Sequence, residues 1–268
     1  MPRFGLIIVG DEILSGKRAD KHLSKLIELL GARGLRLSWA QYVGDDRDAI
    51  TAVLLRSFAG EDVVFCCGGI GATPDDHTRQ AAAAALGVKV ELHPEAAELI
   101  RQRCVEMAAE GRGTADMTTA ENRQRLKMGE FPQGARIIAN PFNRIPGFAV
   151  GRHYFLPGFP AMAWPMTETV LDLEYREHFH SEQVAERAMI VFDTAESLVT
   201  PIMEDVEARF AGIRAFSLPS VGDGRDGRVK RRHIELGVKG DPAAVDAAFA
   251  AMRRGIEALG APHELTLG

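Results

Sequence analysis

Runs of apolar residues alternate with helical spacings along the first half of the chain. A continuous apolar run predicts a strand buried on both faces at Phe4–Val9, and further strands are predicted at Leu35–Val43 and Asp62–Cys67. Between these strands, apolar residues at helical spacing predict helices over 19–33 and 46–59. The repeated strand–helix–strand order predicts an α/β protein with a largely parallel sheet and helices on both faces.

Later segments continue this pattern and then change it. Helices are predicted at 79–86, 94–111, 118–128 and 160–174, strands at 88–92 and 136–139, and a hairpin over 148–156. A second unit with the order β-α-β-β-α is predicted from segments 188–192, 195–210, 213–218, 233–238 and 242–259. We therefore predict a first domain over 1–180 and a small α+β domain over 181–268.

The composition is that of an ordinary globular protein, and it excludes several classes of function. The chain has 268 residues, of which 46% are hydrophobic and 26% charged, and its formal net charge is −5. That charge argues against a nucleic-acid-binding protein. Three cysteines without a Cys-x-x-Cys pair predict neither a disulfide framework nor a zinc cluster. Without a secretory signal or an apolar run near the roughly 20 residues that span a bilayer, we expect a cytoplasmic protein with no membrane partner.

A glycine-rich turn between the third strand and the next helix is the strongest candidate for chemistry. It has the sequence Gly68-Gly69-Ile70-Gly71-Ala72-Thr73-Pro74-Asp75-Asp76-His77-Thr78. Glycines allow backbone N–H groups to approach a phosphate, and a helix N-terminus adds unpaired donors. We expect the amides from Gly69 to Thr73 to bind a phosphate oxygen, with the hydroxyl of Thr73 or Thr78 as a further donor.

Pairs of acidic residues follow three of the predicted strands. They are Asp11-Glu12, Asp45-Asp46 and Asp75-Asp76. Helix capping explains part of this pattern, since aspartate is favoured where helices start. Because the carboxyl ends of parallel strands share one edge of a sheet, the pairs are also expected to converge on one cleft. Carboxylates beside a phosphate require a divalent cation such as Mg²⁺ or Mn²⁺, which we expect Asp76 to hold together with Asp45 or Asp46.

Other motifs of phosphate or nucleophile chemistry do not occur in the sequence. The turn lacks the Gly-Lys-Ser/Thr of a P-loop and the third glycine of Gly-x-Gly-x-x-Gly, and no Gly-x-Ser-x-Gly is present. His77 is interpreted as a surface residue, with acid–base chemistry as the alternative, and His178 and His180 as structural or solvated residues. The basic run Arg225–Arg232 is interpreted as a solvated loop, with a phosphate clamp as the alternative.

Several segments around the predicted site together resemble a known family. They are Gly10-Asp11-Glu12-Ile13-Leu14-Ser15-Gly16, Val43-Gly44-Asp45-Asp46 and the glycine-rich turn. Downstream, the same order as in that family is kept by Glu121-Asn122-Arg123-Gln124, Pro146-Gly147-Phe148 and Leu156-Pro157-Gly158-Phe159-Pro160. Over roughly residues 4–175 the chain resembles the molybdopterin-binding (MoaB/Mog-like) domain, most nearly the version that heads the competence/damage-inducible protein A (CinA) family.

The resemblance implies a three-layer α/β/α domain, usually oligomeric, that holds a phosphate-bearing nucleotide or molybdopterin at the glycine-rich turn. It implies that Asp76 and Asp45 or Asp46 serve a metal-dependent step, with Asp75 as a further ligand of Mg²⁺, Mn²⁺ or Co²⁺. The residues that it implies contact the substrate are Gly68, Gly69, Gly71, Thr73, Thr78, Asp11, Glu12, Asn122, Pro146, Gly147, Pro157 and Gly158.

Two activities accompany this resemblance, and both take place at a phosphoanhydride. CinA-like members are similar to metal-dependent pyrophosphatases of ADP-ribose or related nucleotides, whereas biosynthetic members adenylylate molybdopterin. We expect a divalent-metal-dependent pyrophosphatase, with non-catalytic binding of molybdopterin or a nucleotide as the alternative. Asn143-Arg144-Ile145 is bulkier than the Gly-Thr-Ala of the family and is expected to reshape one wall of the site.

Overall fold

The computed structural model describes residues 2–181, 184–222 and 231–266. Contacts divide the chain into one unit of residues 1–181 and another of residues 182–268. Among the described residues, no helix combines the length and the apolar character needed to cross a membrane. The basic run at Arg225–Arg232 falls outside the described residues except for its last two positions.

Eight strands belong to the first unit. They are β1 (Phe4–Val9), β2 (Leu37–Val43), β3 (Val63–Cys67), β4 (Val90–Leu92), β5 (Glu130–Pro132), β6 (Arg136–Ile138), β7 (Gly147–Val150) and β8 (His153–Leu156). Six of them form a central sheet in the order β2-β1-β3-β8-β7-β6, and β4 pairs separately with β5. The first four strands in that order are parallel, and only β7 runs antiparallel to its neighbours.

Helices cover both faces of the central sheet. They are α1 (Asp11–Leu14), α2 (His22–Gly31), α3 (Arg47–Phe58), α4 (Thr78–Leu86), α5 (Pro94–Ala109), α6 (Ala120–Leu126) and α7 (Pro160–Glu174). A 3-10 turn at Lys127–Gly129 follows α6, and another at Arg176–His178 follows α7. The predicted α/β/α architecture with a largely parallel sheet is therefore confirmed.

Burial on both faces explains why the central strands are apolar at every position. In β1, Phe4, Leu6 and Ile8 pack in the core that contains α2 and α7, whereas Ile7 and Val9 pack in the core that contains α3 and α4. Successive side chains of a strand point to opposite faces, so both layers of helices draw on the same strand. The neighbouring cysteines of β3 follow this rule, since Cys66 lies in one core and Cys67 in the other.

Local hydrogen bonds and non-local pairing account for the differences from the predicted elements. The helix predicted from residue 19 begins at His22, where Asp20 accepts hydrogen bonds from the N–H groups of His22 and Leu23. The strand predicted at 88–92 pairs antiparallel with β5, about 40 residues away, instead of joining the main sheet. The spacing of apolar residues within either segment does not indicate which distant segment it pairs with.

Over residues 184–222 and 231–266, the second unit contains an antiparallel sheet and two helices. Its elements are β9 (Ala185–Phe192), α8 (Glu196–Arg209), β10 (Arg214–Ser220), β11 (His233–Gly240), α9 (Pro242–Ala258) and β12 (His263–Leu265). The strand order is β10-β11-β9-β12. The predicted β-α-β-β-α order is present, and β12, too short to carry a pattern, is an addition to it. Leu259, the last residue of the segment predicted over 242–259, is 45% exposed because it lies just beyond the end of α9.

A buried histidine at the start of β8 predicts a pH-dependent stability. His153 is 3% exposed, its Nε2 lies 2.5 Å from Ser57 Oγ, and its ring packs on Phe58. Burial lowers the pKa of His153 to about 4, although the nearby Asp62 carboxylate opposes this shift. The unfolded chain therefore takes up a proton near pH 6.5, before the folded protein does, and folding stability is lost as the pH falls from about 6.5 to about 4.

We expect the wild type to lose about 3 kcal/mol of unfolding free energy relative to His153→Gln between pH 7.5 and pH 4. Urea denaturation of both proteins at these two pH values measures the difference. The variant removes the titrating group and keeps a polar side chain that can meet Ser57 Oγ, so other carboxylates and histidines cancel in the comparison. Equal pH dependence of the two proteins would show that His153 takes no part in it.

Candidate functional site

A cavity of about 690 Å³ opens at the carboxyl ends of the parallel strands in the first unit. Four loops line it, those that follow β1, β2, β3 and β8. Their lining residues are Gly10, Glu12, Lys17 and Arg18 after β1, Asp45 after β2, Gly68 to Asp76 except Pro74 after β3, and Pro157, Gly158 and Phe159 after β8. Ligands of open α/β sheets bind at this edge, because the loops after neighbouring strands meet there. The predicted convergence of the loops that carry the acidic pairs is therefore present.

The backbone of the glycine-rich turn requires two of its glycines. Gly68 has a φ of +109° and Gly69 a φ of +66°, a region that residues with a side chain rarely adopt. A Cβ atom on Gly68 would lie 2.2 Å from the carbonyl oxygen of Val9, and one on Gly69 would lie 2.2 Å from Thr78 Oγ1. The turn therefore folds back tightly on both β1 and the start of α4.

Hydrogen bonds from the body of the unit hold four carbonyl groups of the turn. The Gly68 carbonyl accepts from Thr78 Oγ1 at 3.0 Å, and the Gly69 carbonyl accepts from the Thr78 N–H at 3.0 Å. The other two donors lie further along the chain: Arg79 Nη2 donates to the Gly71 carbonyl at 2.5 Å, and Gln124 Nε2 donates to the Ala72 carbonyl. These contacts fix the orientation of the peptide planes.

Anchoring the carbonyls turns amide N–H groups the other way. In a trans peptide the C=O of one residue and the N–H of the next point in opposite directions, and the described residues contain no cis peptide. The N–H groups of Gly69, Ile70 and Ala72 therefore face away from the body of the unit, and none has a protein partner among the described residues. Several free N–H groups on a tight turn beside a helix N-terminus form an anion-binding concavity.

Asp76 closes the turn instead of extending freely into the cavity. Its Oδ2 accepts hydrogen bonds from Thr73 N at 2.8 Å and from Thr73 Oγ1 at 2.5 Å. A Cβ atom on Gly71 would lie 2.5 Å from the same oxygen, so glycine is also needed there for space. One carboxylate oxygen of Asp76 is thus committed to the turn, and the other remains for a ligand or cation.

Two loops are joined by reciprocal hydrogen bonds between Asp11 and Asp45. The Asp11 N–H donates to Asp45 Oδ2 at 2.9 Å, and the Asp45 N–H donates to Asp11 Oδ1 at 3.2 Å. Burial raises the pKa of the Asp45 carboxyl; the Asp11 N–H opposes this shift, while the neighbouring carboxylates of Asp11, Glu12 and Asp75 reinforce it. Burial is thus the main cause of the raised pKa, and three neighbouring carboxylates contribute to it.

The two members of the second acidic pair have different roles. Asp45 lines the cavity, whereas Asp46 caps α3 by accepting a hydrogen bond from the Ala49 N–H at 2.7 Å. Of the two, Asp45 is therefore the one whose side chain lies at the cavity. No group of three or more acidic, histidine or cysteine side chains stands together as a metal cage within residues 2–181, 184–222 and 231–266.

Three residues predicted to bind substrate have structural roles instead. Thr78 is fully buried and anchors the turn, and a Cβ on Gly147 would lie 2.4 Å from the Phe155 carbonyl oxygen, so Gly147 serves close packing of strands. Asn122 is also fully buried, and its Nδ2 donates to the carbonyls of Thr114 and Asp116 at 2.6 and 3.0 Å. None of the three lines the cavity, and neither does Asp11, which is also predicted to contact the substrate and which holds the Asp45 N–H. A motif position alone does not distinguish a ligand contact from a residue that shapes the backbone.

The remaining wall of the cavity is largely apolar. Pro146, Pro157 and Gly158 line it as predicted. Asn143 and Ile145 line it as well, whereas Arg144 has a φ of +65° and pairs through Nε with Glu106 Oε1 at 2.5 Å on α5. Of the bulky triplet, the first and third residues therefore line the wall, and the second forms an ion pair away from it.

Several lining residues were not selected from the sequence. They are Lys17, Arg18, Met128, Phe159 and Met162. The two cations follow Gly16 in the loop after β1, so their position beside a predicted site loop was the available signal. The apolar side chains carry no signal of their own, because methionine and phenylalanine are common in cores. His77 precedes α4 and does not line the cavity.

Comparison with known proteins identifies the first unit. The model of a family described as "Probable molybdopterin binding domain" matches residues 5–176. A CinA-like protein of Citrifermentans bemidjiense is 34% identical over 208 residues, which cover 75% of this chain and 47% of that protein. A CinA-like protein of Anaeromyxobacter dehalogenans is 36% identical over 159 residues, which cover 58% of this chain and 36% of that protein.

Structure comparison agrees with the sequence match. The crystal structure of the protein CinA with unknown function from Thermoplasma acidophilum aligns with a TM-score of 0.53 and 29% identity, over 63% of this chain and 96% of that one. The chain spans about half the length, or less, of the two curated relatives above. With a family match over most of the first unit, the chain belongs to the molybdopterin-binding-domain family and is a CinA-like member of it.

Proposed function

We propose that the first unit binds a phosphate-bearing nucleotide or pterin together with a divalent cation and hydrolyses a phosphoanhydride bond of that ligand. The observation that carries this proposal is the set of unpaired N–H groups at Gly69, Ile70 and Ala72, which face a cavity also lined by carboxylates. The amides match the oxygens of a phosphate, and the carboxylates match a cation that neutralises it. ADP-ribose and related nucleotides are the proposed substrates.

The carboxylates that line the cavity are ligands of the type that a hard divalent cation prefers, although no three of them form a cage in the described part of the chain. Asp45, Glu12, Asp75 and one oxygen of Asp76 offer carboxylate oxygens on one cavity, which suit Mg²⁺ or Mn²⁺. Burial is the main cause of the raised pKa of Asp45, and the neighbouring carboxylates of Asp11, Glu12 and Asp75 add a smaller part that a bound cation would relieve. A cation held by these residues would supply Lewis-acid polarisation of a phosphoryl oxygen.

The protein's own groups act by binding and orientation. The amides of the glycine-rich turn hold one phosphate and stabilise the negative charge that develops on its oxygens. The apolar wall around Ile145, Met162 and Phe159 provides a surface for the organic part of the ligand. In the proposed reaction, a water oxygen bonds to one phosphorus, the P–O bond to the bridging oxygen breaks, and two phosphomonoesters are released.

The neighbouring residues Asp45 and Asp46 offer a matched pair of variants that test the proposal. We expect Asp45→Asn to reduce metal-dependent release of phosphomonoester from ADP-ribose by about a hundredfold or more, because it removes a carboxylate from the cavity. Asp46→Asn should keep wild-type activity, since asparagine caps a helix as well as aspartate does. Turnover is measured with Mg²⁺, Mn²⁺ or Co²⁺ and in EDTA, over a panel of ADP-ribose and nucleotide sugars.

The outcomes separate catalysis from its absence. Equal activity of both variants would contradict the role of Asp45, and no turnover of any substrate with any of these metals would contradict the hydrolase. Asp76→Asn is a poorer first test, because that carboxylate also holds Thr73.

A second candidate is non-catalytic binding of molybdopterin or a nucleotide. Two observations favour it: one carboxylate oxygen of Asp76 is committed to Thr73, and Asn143 and Ile145 line the wall at positions where the resemblance implies small residues. Tight binding of a phosphate-bearing ligand without metal, improved in Asp45→Asn by the loss of a repelling charge, would support this candidate.

A further inference from the structure

Two cations line the same cavity as the carboxylates and are not used by the proposed chemistry. Lys17 and Arg18 lie in the loop between α1 and α2, and both side chains are exposed at the cavity wall. Neither forms an ion pair or side-chain hydrogen bond with any of the residues that the structure describes. The cavity is therefore lined by two cations as well as by carboxylates.

Backbone contacts place these cations at the cavity. Gly16, with a φ of +72°, turns the chain after α1, and the Arg18 N–H donates to the Glu12 carbonyl at 2.9 Å. The loop is therefore closed back on the segment that carries Glu12, and its two cations stay on the side of the site.

We propose that Lys17 and Arg18 form a second anion subsite, for the phosphate distal to the one bound by the glycine-rich turn. The inference rests on the proposed function and assigns the second phosphate of its substrate to these two side chains. One phosphate lies on the amides of the turn, and the other meets a guanidinium and an ammonium, which form charge-assisted hydrogen bonds to phosphate oxygens. In hydrolysis the same pair stabilises the charge on the phosphate that it holds.

AMP and ADP differ by one phosphate and therefore measure this subsite directly. Calorimetric titrations with Mg²⁺ should give the wild type a preference for ADP over AMP of about tenfold or more, the scale of one charge-assisted hydrogen bond. In Lys17→Gln/Arg18→Gln the affinity for ADP should fall by about that factor, while the affinity for AMP stays within about twofold. Both side chains are exposed, so we expect the variant to fold normally.

A second double variant controls for net charge. Lys21→Gln/Arg47→Gln also removes one lysine and one arginine, both exposed and both outside the cavity lining, and should keep the wild-type preference. An equal loss of AMP and ADP affinity in Lys17→Gln/Arg18→Gln, or no loss at all, would overturn the subsite. Failure of the wild type to bind either nucleotide would instead count against the proposed function, and the subsite would fall with it.

Discussion

Replacing Gly68 with alanine is expected to destabilise the protein by at least about 3 kcal/mol and to abolish ligand binding. The new Cβ would lie 2.2 Å from the Val9 carbonyl oxygen, a backbone atom that moves only if β1 moves. The residue would also have to keep a φ of +109°, which alanine disfavours. The turn would therefore shift away from β1, and its amides with it. Urea denaturation and calorimetry with ADP measure the two effects.

Gly87 provides a control that separates the clash from backbone strain. It follows α4 with a φ of +69°, and a Cβ there would meet no atom within 4 Å. Gly87→Ala should cost only about 1 to 2 kcal/mol, the price of a left-handed conformation for alanine, and should leave ligand affinity unchanged. Equal losses of stability in the two variants would show that contact with Val9 does not constrain the turn.

Replacing Arg79 with methionine is expected to lower ligand affinity about tenfold or more and unfolding free energy by about 2 kcal/mol. Arg79 is 3% exposed, and its two terminal nitrogens donate to the carbonyls of Gly71 and Lys127 at 2.5 and 2.6 Å. Methionine fills most of the space but leaves both carbonyls without these donors. The peptide between Gly71 and Ala72 would then be free to rotate, and the Ala72 N–H would no longer be held toward the cavity.

Arg79→Lys tests whether geometry or charge matters. Lysine keeps the positive charge, but its single ammonium cannot reproduce the planar fork that reaches two carbonyls. We expect a ligand affinity close to that of Arg79→Met, measured by calorimetry at a temperature where circular dichroism shows each variant folded. Wild-type affinity in Arg79→Met would contradict the anchoring role, and full rescue by lysine would reduce that role to simple charge.

The layered fold was predictable because its signal is local. The apolar run of Phe4–Val9 and the helical spacing around Ile50 and Leu54 reflect burial against the two cores, and periodicity reports burial directly. The β4–β5 pair and β12 were less accessible, because pairing partners distant along the chain leave no mark on three-residue segments. For the same reason, the sequence does not reveal the hydrogen bond from the Arg18 N–H to the Glu12 carbonyl that closes the loop after α1.

The site was predictable in its loops and less so in its individual residues. Adjacent aspartates cannot be distinguished by residue type. In the structure, Asp46 accepts a hydrogen bond from the Ala49 N–H and caps α3, whereas Asp45 lines the cavity. Thr78 and Asn122 belong to the family motif because they hold backbone in place. The sequence predicts Arg79 only as the start of a helix, because no sequence pattern indicates that its guanidinium donates hydrogen bonds to two carbonyl groups.

The proposed function depends most on one contact, the binding of a phosphate by the backbone amides of the glycine-rich turn. Amide chemical shifts in ¹⁵N-labelled, deuterated protein, followed during titration with ADP and Mg²⁺, test it residue by residue. We predict the largest shifts at Gly69, Ile70 and Ala72, with a smaller change at Thr73, whose N–H is already bound to Asp76. Saturable binding that leaves the chemical shifts of those three amides unchanged would contradict phosphate binding by the glycine-rich turn.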